Sequence, residues 1–264
     1  MQSGNHVPSR RRRRALAPRP VAGTPLLAAA ALLLLLSPAL AQQSADRTPA
    51  ENAATVRARR AMVDRQLRAR DIDDPRVLEV MAKVPRHLFV PERMQGSAYR
   101  DSALPIDDGQ TISQPYIVAL MTDLLDVRPS DRVLDVGTGL GYQAAVLSRL
   151  ATRVYTVEII EELASSAARR LSEQGCDNVE VRAGDGSAGW AEHAPYDRIL
   201  VAAAPELIPP ALLAQLAPGG RMTIPAGLDG AQTLMLVTRD ESGSLATEDI
   251  LSVRFSELVV SGGD

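Results

Sequence analysis

Residues 133–142 read Val-Leu-Asp-Val-Gly-Thr-Gly-Leu-Gly-Tyr, and this stretch decides the fold. Four residues typical of a buried strand run directly into a turn with glycines at positions 137, 139 and 141, and a helix-favouring segment follows. Glycines at such a turn let the backbone approach a ligand closely. The stretch therefore predicts a ligand site at the carboxyl end of a strand. We call residues 137–141 the glycine loop.

Strand-like and helix-like segments alternate on either side of this stretch. Short β-branched runs lie at residues 133–136, 154–157, 179–181 and 199–202, with helical stretches at 142–150 and 161–174. The alternation predicts an α/β fold with right-handed crossovers and a parallel sheet that is covered on both faces.

The carboxyl-terminal part continues this pattern and then changes direction. The Pro-Pro pair at 209–210 begins a helix that we expect to end at the glycines 219–220, before a strand at 222–224. The runs 233–238 and 250–260 are joined by a turn-rich link that is too short for a helix. We therefore expect the last two strands to pair antiparallel.

The amino terminus differs in composition from the rest. Five arginines at 10–14 precede an apolar run at 21–36 and then Ala39-Leu40-Ala41, the order found in a secretory signal. We expect residues 1–41 to be a signal peptide, 42–52 a linker and 53–264 a single domain that begins with a helical cap. Export to the periplasm follows if the signal is genuine. The alternative is a cytoplasmic protein whose translation starts later, for example at Met62.

Composition and charge exclude several functions. Of the 264 residues 45% are hydrophobic, which is enough for a sizeable core. The residues after Ala41 hold 23 basic and 32 acidic side chains, a net charge of -9, so broad binding to nucleic acid or to an anionic membrane is not expected. One cysteine and three histidines argue against a metal site.

Three acidic residues near predicted strand ends indicate the ligand. The spacing Gly-x-Gly-x-Gly differs from the dinucleotide pattern, and Asp135 precedes the first glycine. Glu158 closes the second strand, where a carboxylate can bind both ribose hydroxyls, and Asp185 follows the third strand, near an adenine amine. These positions predict a nucleoside that has no pyrophosphate and whose cationic tail lies near Asp135. S-adenosylmethionine matches this description. In the alternative, the glycine loop merely packs a helix on the sheet and Asp135 caps backbone donors.

A second segment, residues 109–116, reads Gly-Gln-Thr-Ile-Ser-Gln-Pro-Tyr. Pro115 suits the first turn of a helix that extends to Leu125. Free N–H groups at the start of this helix favour an anion beside Ser113. The alternative is that Ser113 only caps the helix.

Four blocks together resemble the protein-L-isoaspartate O-methyltransferase family: residues 84–91, 109–116, 136–143 and 184–186. The resemblance covers about residues 57–260 and implies a class I methyltransferase, with a Rossmann-like, doubly wound, mostly parallel seven-stranded sheet, an antiparallel last strand and N-terminal helices. It also implies methyl transfer from S-adenosylmethionine to the carboxylate of L-isoaspartyl residues in damaged proteins, followed by collapse of the ester to a succinimide.

The resemblance also implies the residues of the substrate site, which complement the cofactor site predicted from the glycine loop and the strand ends. Ser113 is the expected catalytic residue, and Thr111, Ile112 and Ser113 are expected to line the substrate pocket. The expected cofactor-binding residues are Asp135, Gly137, Thr138, Gly139, Gly141, Glu158, Asp185 and Gly186. An ionised carboxylate needs no general base, so we interpret Ser113 as a positioning donor and not as a nucleophile.

The sequence departs from the family pattern in three places. Leu140 stands where a small residue is usual, Asp107 and Asp108 precede Gly109, and residues 253–258 lack a Val-Pro-Leu ending. Two other functions remain open: methylation of a small molecule, and a binding domain without catalysis. We expect isoaspartyl proteins and peptides as partners, a monomer, and no stable membrane association once the signal is removed.

Overall fold

The computed structural model describes residues 52–260. The expected signal peptide, and the linker apart from Asn52, lie outside these residues. Asn52 caps the first helix, because its side chain accepts a hydrogen bond of 2.8 Å from the backbone N–H of Ala54. Within residues 52–260, every helix lacks the length or the apolar character that a bilayer crossing requires.

The helical cap precedes the sheet. It consists of α1 (Ala53–Met62), which continues as a π-helical turn (Val63–Leu67), and α2 (Pro75–Lys83). Asp74 begins α2 as expected, and its carboxylate accepts a hydrogen bond of 2.7 Å from the N–H of Arg76. Two 3-10 turns, Arg86–Phe89 and Glu92–Ser97, then connect the cap to a short ribbon.

The ribbon presents residues 111–114, which we call the substrate loop. Its strands β1 (Leu104–Pro105) and β2 (Thr111–Ile112) pair antiparallel, with Leu104 opposite Ile112. Helix α3 (Pro115–Leu125) follows directly and has the predicted boundaries.

The main sheet has seven strands in the order β5-β4-β3-β6-β7-β8-β9. The parallel strands are β3 (Arg132–Val136), β4 (Arg153–Glu158), β5 (Val179–Ala183), β6 (Tyr196–Val201) and β7 (Leu216–Ala226). The last two strands are β8 (Gln232–Arg239) and β9 (Leu245–Val253). The helices among these strands are α4 (Tyr142–Leu147), α5 (Glu161–Glu173) and α6 (Pro210–Gln215).

The last two strands confirm the expected antiparallel pairing. β8 runs against β7, and β9 runs against β8. The predicted bounds of β9 were wrong, since the strand starts at Leu245 and ends at Val253. Its first half lies exposed on a sheet edge and includes the polar residues 247–249, so it lacks the apolar run that marks a buried strand. Residues 254–260 instead leave the sheet.

The glycines at 219 and 220 also lie in a different place from the one expected. They do not end α6, which stops at Gln215, but lie within β7. The register between β6 and β7 shifts between Tyr196 and Arg198, and this irregularity accommodates the Pro-Gly-Gly segment.

The central strand β3 positions the site. Its neighbours β4 and β6 lie on opposite sides, so the chain winds outward in both directions from β3. In such sheets a crevice opens outside the carboxyl ends of the strands where the winding reverses. Val133 belongs to one hydrophobic cluster, and Leu134 and Val136 belong to the other, which confirms that both faces of the sheet are covered.

Candidate active site

A cavity of about 780 Å³ lies at the predicted edge of the sheet. Val136 of β3, Val157 of β4 and Ala202, which follows β6, all line it. Ser113 of the substrate loop lines the same cavity. The fold therefore brings the glycine loop and the substrate loop, predicted from separate segments, to one space.

The glycine loop adopts backbone conformations that favour glycine. Gly137, Gly139 and Gly141 have φ values of 90°, 54° and 92°. Gly137 and Gly139 line the cavity. Gly141 instead faces α5, where an added Cβ would lie 3.1 Å from Leu171. The third glycine thus allows close packing of a helix, while the first two form the cavity surface.

Glu158 joins β4 to the glycine loop. Its Oε2 accepts a hydrogen bond of 2.8 Å from the N–H of Gly139, and its Oε1 accepts one of 3.1 Å from the N–H of Ile160. The side chain is buried yet lines the cavity. Because each carboxylate oxygen can accept a second hydrogen bond, Glu158 can still receive two hydroxyl groups.

Asp135 lies beneath the glycine loop and not at the cavity surface. It is fully buried, and its Oδ2 accepts a hydrogen bond of 2.9 Å from the hydroxyl of Thr156. The hydroxyls of Thr156 and Thr138 lie 2.6 Å apart, so Thr138 also points inward. Burial raises the pKa of Asp135 to about 7, an effect that the Thr156 hydrogen bond opposes and the Glu158 charge increases. Thr138 can therefore act on a ligand only through the loop to which it belongs, and Asp135 only through that loop or through its own charge.

Gly186 and Asp185, both predicted to bind the cofactor at the end of the third strand, occupy different environments. Gly186 lines the cavity, and an added Cβ would lie 2.4 Å from Cγ1 of Val136. Asp185 accepts a hydrogen bond of 2.8 Å from the N–H of Ser187 and so caps the next turn. Its side chain is not part of the cavity lining.

The substrate loop presents two of its three predicted residues. Thr111 and Ser113 line the cavity. The expectation that Ile112 lines it was wrong, because successive side chains of β2 point in opposite directions and Ile112 packs in the core. Ser113 does not cap α3 either: the cap position is Gln114, without a side-chain hydrogen bond. Among residues 52–260 the Ser113 hydroxyl has no hydrogen-bond partner, so it is available to a ligand.

Two arginines near the substrate loop were missed in the sequence. Arg86 is completely buried and donates a hydrogen bond of 2.8 Å to the carbonyl oxygen of Ser113. Arg70 lines the cavity mouth, where its guanidinium lies 4.3 Å from the ring centre of Tyr116 and pairs with Asp101. The sequence signal for Arg86 is its position as a charged residue within the Val-Pro-Arg-His-Leu-Phe block.

The opposite wall of the cavity is formed by residues 251–259. Ala204 fixes this segment: its N–H donates to the carbonyl of Ser256 at 2.8 Å, and its carbonyl accepts from the N–H of Leu258 at 2.9 Å. Within this wall, residues 253–258 depart from the family pattern, which predicts no ligand contact there. The structure shows that they nevertheless lie along the site.

The other departures lie away from the cavity. Leu140 is buried in the core and is not part of the lining. Asp107 pairs with Arg93 at 3.2 Å on the surface. In the described part of the chain no three ligating side chains come together in a group that could hold a metal ion.

Comparisons with known proteins agree with this geometry. The family model of protein-L-isoaspartate(D-aspartate) O-methyltransferase matches residues 57–262. Protein-L-isoaspartate O-methyltransferase 1 of Polaromonas sp. (strain JS666) is 54% identical over 205 residues, which are 78% of this chain and 86% of that protein. Protein-L-isoaspartate O-methyltransferase 2 of Syntrophobacter fumaroxidans is 59% identical over 186 residues, or 70% and 75% of the two chains.

Solved structures show the same likeness. One protein-L-isoaspartate O-methyltransferase superposes with a TM-score of 0.67 at 28% identity, over 75% of this chain and 65% of that one, just under two thirds of its length. A putative protein-L-isoaspartate O-methyltransferase from Plasmodium falciparum, in complex with S-adenosyl-L-homocysteine, has a TM-score of 0.67 at 25% identity, with 76% of this chain and 98% of that chain covered.

Proposed function

Since the chain belongs to the protein-L-isoaspartate(D-aspartate) O-methyltransferase family, we propose that Ser113 holds an isoaspartyl carboxylate beside a methyl donor seated on the glycine loop. The enzyme transfers the methyl group of S-adenosylmethionine to the carboxylate of L-isoaspartyl residues in damaged proteins. These roles are assigned on one observation: Gly137, Glu158 and Ser113 all line the same cavity.

The residues present fit the cofactor. Glu158 retains acceptor capacity for the two hydroxyls of a ribose, and Gly137, Gly139 and Gly186 allow a close approach of the backbone. Oδ1 of Asp135 is buried without a partner among the described residues, which suits a cationic ligand above it. When bound, S-adenosylmethionine supplies an activated methyl group. Thr138, Gly141 and Asp185 would support this site by shaping the loops around it.

Positioning is the main task of the protein groups. A carboxylate with an ordinary pKa near ~4 is ionised at neutral pH, so no residue has to remove a proton. The Ser113 hydroxyl and the free N–H groups at the start of α3 can hold the anion in one orientation. Alignment of reactants and exclusion of water can lower a barrier by roughly 7–11 kcal/mol.

A methyl-transfer assay with matched peptides tests the substrate. An isoaspartyl peptide and its aspartyl twin are incubated with radiolabelled S-adenosylmethionine, and base-labile methyl ester is counted. We expect label only in the isoaspartyl peptide. Equal labelling of both peptides would support methylation of another substrate. No labelling, together with no cofactor binding by calorimetry, would support a binding domain without catalysis.

We also propose export, with residues 1–41 as the signal and residue 42 as the mature start. The support is the order of arginines, apolar run and Ala-Leu-Ala in the sequence. Amino-terminal sequencing of the protein from fractionated cells tests this. A periplasmic protein that starts at Gln42 agrees with export, whereas a cytoplasmic protein that starts upstream of Ala41 or near Met62 contradicts it.

We further propose that the enzyme is a monomer and does not bind nucleic acid. The acidic balance of the residues after Ala41 supports the second point. Light scattering after size-exclusion chromatography measures the mass against 28.2 kDa for the full chain. A DNA or RNA mobility shift at physiological salt would contradict the absence of nucleic-acid binding.

A further inference from the structure

Arg86 is a buried cation without an acidic partner. It is completely inaccessible, and none of the described carboxylates forms an ion pair with it. Its Nε donates to the carbonyl of Ala98 and its Nη2 to the carbonyl of Ser113, both at 2.8 Å, while Nη1 has no partner among residues 52–260. Burial lowers the pKa of Arg86 to about 10, so the side chain stays charged at neutral pH.

The hydrogen bond to Ser113 fixes a peptide plane of the substrate loop. In a trans peptide the C=O of one residue and the N–H of the next point in opposite directions. The Ser113 carbonyl faces Arg86, so the N–H of Gln114 faces away from it. Ser113 and Gln114 line the cavity, and Arg86 does not. The Gln114 N–H has no acceptor among the described residues.

Arg86 also contacts the first residue after the glycine loop. Its guanidinium carbon lies 4.9 Å from the ring centre of Tyr142, which begins α4 and is buried. A cation over an aromatic face is favourable, the more so where water is excluded. One side chain therefore touches both the substrate loop and the element that follows the glycine loop.

We propose that Arg86 is a positioning residue whose hydrogen bond to Ser113 turns the Gln114 N–H and the Ser113 hydroxyl toward the substrate carboxylate, and whose buried charge favours that anion. This inference rests on the proposed function, because it needs an anionic substrate at the substrate loop. An uncompensated buried cation is costly, and an anion that arrives nearby offsets part of that cost. The residue has no contact with the reacting atoms and acts through Ser113.

The test compares Arg86→Met, Arg86→Lys and the matched control Arg59→Met. Arg59, in the helical cap, is a second buried arginine; it donates to the carbonyl of Ala82 at 2.6 Å and to the hydroxyl of Tyr99 at 3.4 Å, and it is not among the residues that line the cavity. Each variant is measured for kcat and KM with an isoaspartyl peptide, for calorimetric affinity toward S-adenosylhomocysteine, and for peptide affinity in the presence of S-adenosylhomocysteine, where no turnover occurs.

We expect Arg86→Met to lower kcat/KM for the peptide about 100-fold, as small misplacements of a reacting group do. Peptide affinity should fall with it, while affinity for S-adenosylhomocysteine stays within about twofold. Arg86→Lys should regain part of the peptide affinity, since it keeps the charge but cannot reach both carbonyls. Arg59→Met should lower stability and leave the peptide constants near those of the wild type.

Three outcomes would overturn the proposal: unchanged peptide constants in Arg86→Met, equal losses in Arg59→Met, or an equal loss of cofactor-product affinity. If Arg86→Met does not fold, Arg86→Lys decides, and wild-type peptide affinity in that variant overturns the proposal. A wild-type enzyme that ignores the isoaspartyl peptide would refute the proposed function itself, which is a separate result.

Discussion

The hydroxyl of Thr156 donates a hydrogen bond of 2.9 Å to Oδ2 of Asp135, at the centre of the sheet and directly under the glycine loop. The second oxygen of this carboxylate has no partner in the described part of the chain. Burial raises the pKa of Asp135 to about 7, into the range where its proton can be lost near neutral pH. Its ionisation can therefore be coupled to the binding of a cation.

The first prediction concerns cofactor affinity and pH. S-adenosylmethionine carries positive charge, so it should bind more tightly once Asp135 is ionised. Between pH 6 and pH 8 the affinity should rise by up to about tenfold, because the ionised fraction rises by that factor around a pKa of about 7. Calorimetric titrations at the two pH values measure the change. Asp135→Asn should bind more weakly at pH 8 and show a flat profile; a profile as steep as that of the wild type would contradict the assignment.

The second prediction concerns stability without cofactor. The pKa of Asp135 is raised on folding, so the folded state holds a proton that the unfolded state has already released between about pH 4 and pH 7. The contribution of Asp135 to the free energy of unfolding is greatest below pH 4 and is lost as the pH rises through about 7. Asp135→Asn should therefore increase the free energy of unfolding at pH 8, by on the order of a few kcal/mol at most, as measured by urea denaturation.

Asp131→Asn is the matched control for this stability effect. Asp131 is also buried, but it pairs with Arg198 at 3.3 Å. Removal of its charge leaves the Arg198 cation uncompensated, so this variant should be less stable at pH 8. A higher free energy of unfolding for Asp131→Asn, or a lower one for Asp135→Asn, would contradict this interpretation of the two buried carboxylates.

The third prediction concerns Ser113. Ser113→Ala should reduce kcat/KM for an isoaspartyl peptide by about 10- to 100-fold, the effect of one hydrogen bond to a charged group, and leave the Kd of S-adenosylmethionine nearly unchanged. Ser113→Thr, which keeps a hydroxyl, should retain more activity. Equal losses of cofactor affinity and turnover would refute a positioning role.

The fourth prediction concerns Glu158. Glu158→Gln loses one of the two acceptors that fix Gly139 and Ile160, and it loses the charge toward the ribose. The Kd of S-adenosylmethionine should rise about 10- to 100-fold, with a smaller change of kcat at saturating cofactor. Glu161→Gln, three residues further on and exposed, should behave like the wild type. An unchanged Kd in Glu158→Gln would remove this residue from the cofactor site.

The fifth prediction concerns the contact between Gly186 and Val136. Gly186→Ala places a methyl group 2.4 Å from Cγ1 of Val136, so overpacking should cost about 1–3 kcal/mol of unfolding free energy. Val136→Ala removes the clashing atom, and the double variant should recover most of the loss of Gly186→Ala. Denaturant titrations of the two single variants and the double variant measure the coupling. Simple additivity would show that the contact is not the cause.

The α/β architecture could be predicted because the parallel strands other than β7, which contains a Pro-Gly-Gly segment, are short β-branched runs before a turn. Leu134 and Val136 belong to such a run, and no other pattern in these residues favours a different secondary structure. The edge strand β9 was harder to predict, because Thr247, Glu248 and Asp249 face water and follow no buried pattern.

Within the site, the sequence identified loops better than side-chain directions. Ile112 points into the core because it follows Thr111 on a strand, where successive side chains point in opposite directions. Asp135 comes just before the glycine loop in the sequence, but its side chain is buried beneath that loop. The burial of Arg86 could not be predicted, since it results from contacts with Ala98, Ser113 and Tyr142, which only the tertiary fold brings together.

The cavity takes its walls from both ends of the described chain, with Arg70 on one side and residues 251–259 on the other. Synthesis on the ribosome proceeds from the amino terminus, so the glycine loop and the substrate loop emerge well before the last wall. The cavity is therefore complete only after residues 251–259 have been synthesised and have packed against Ala204.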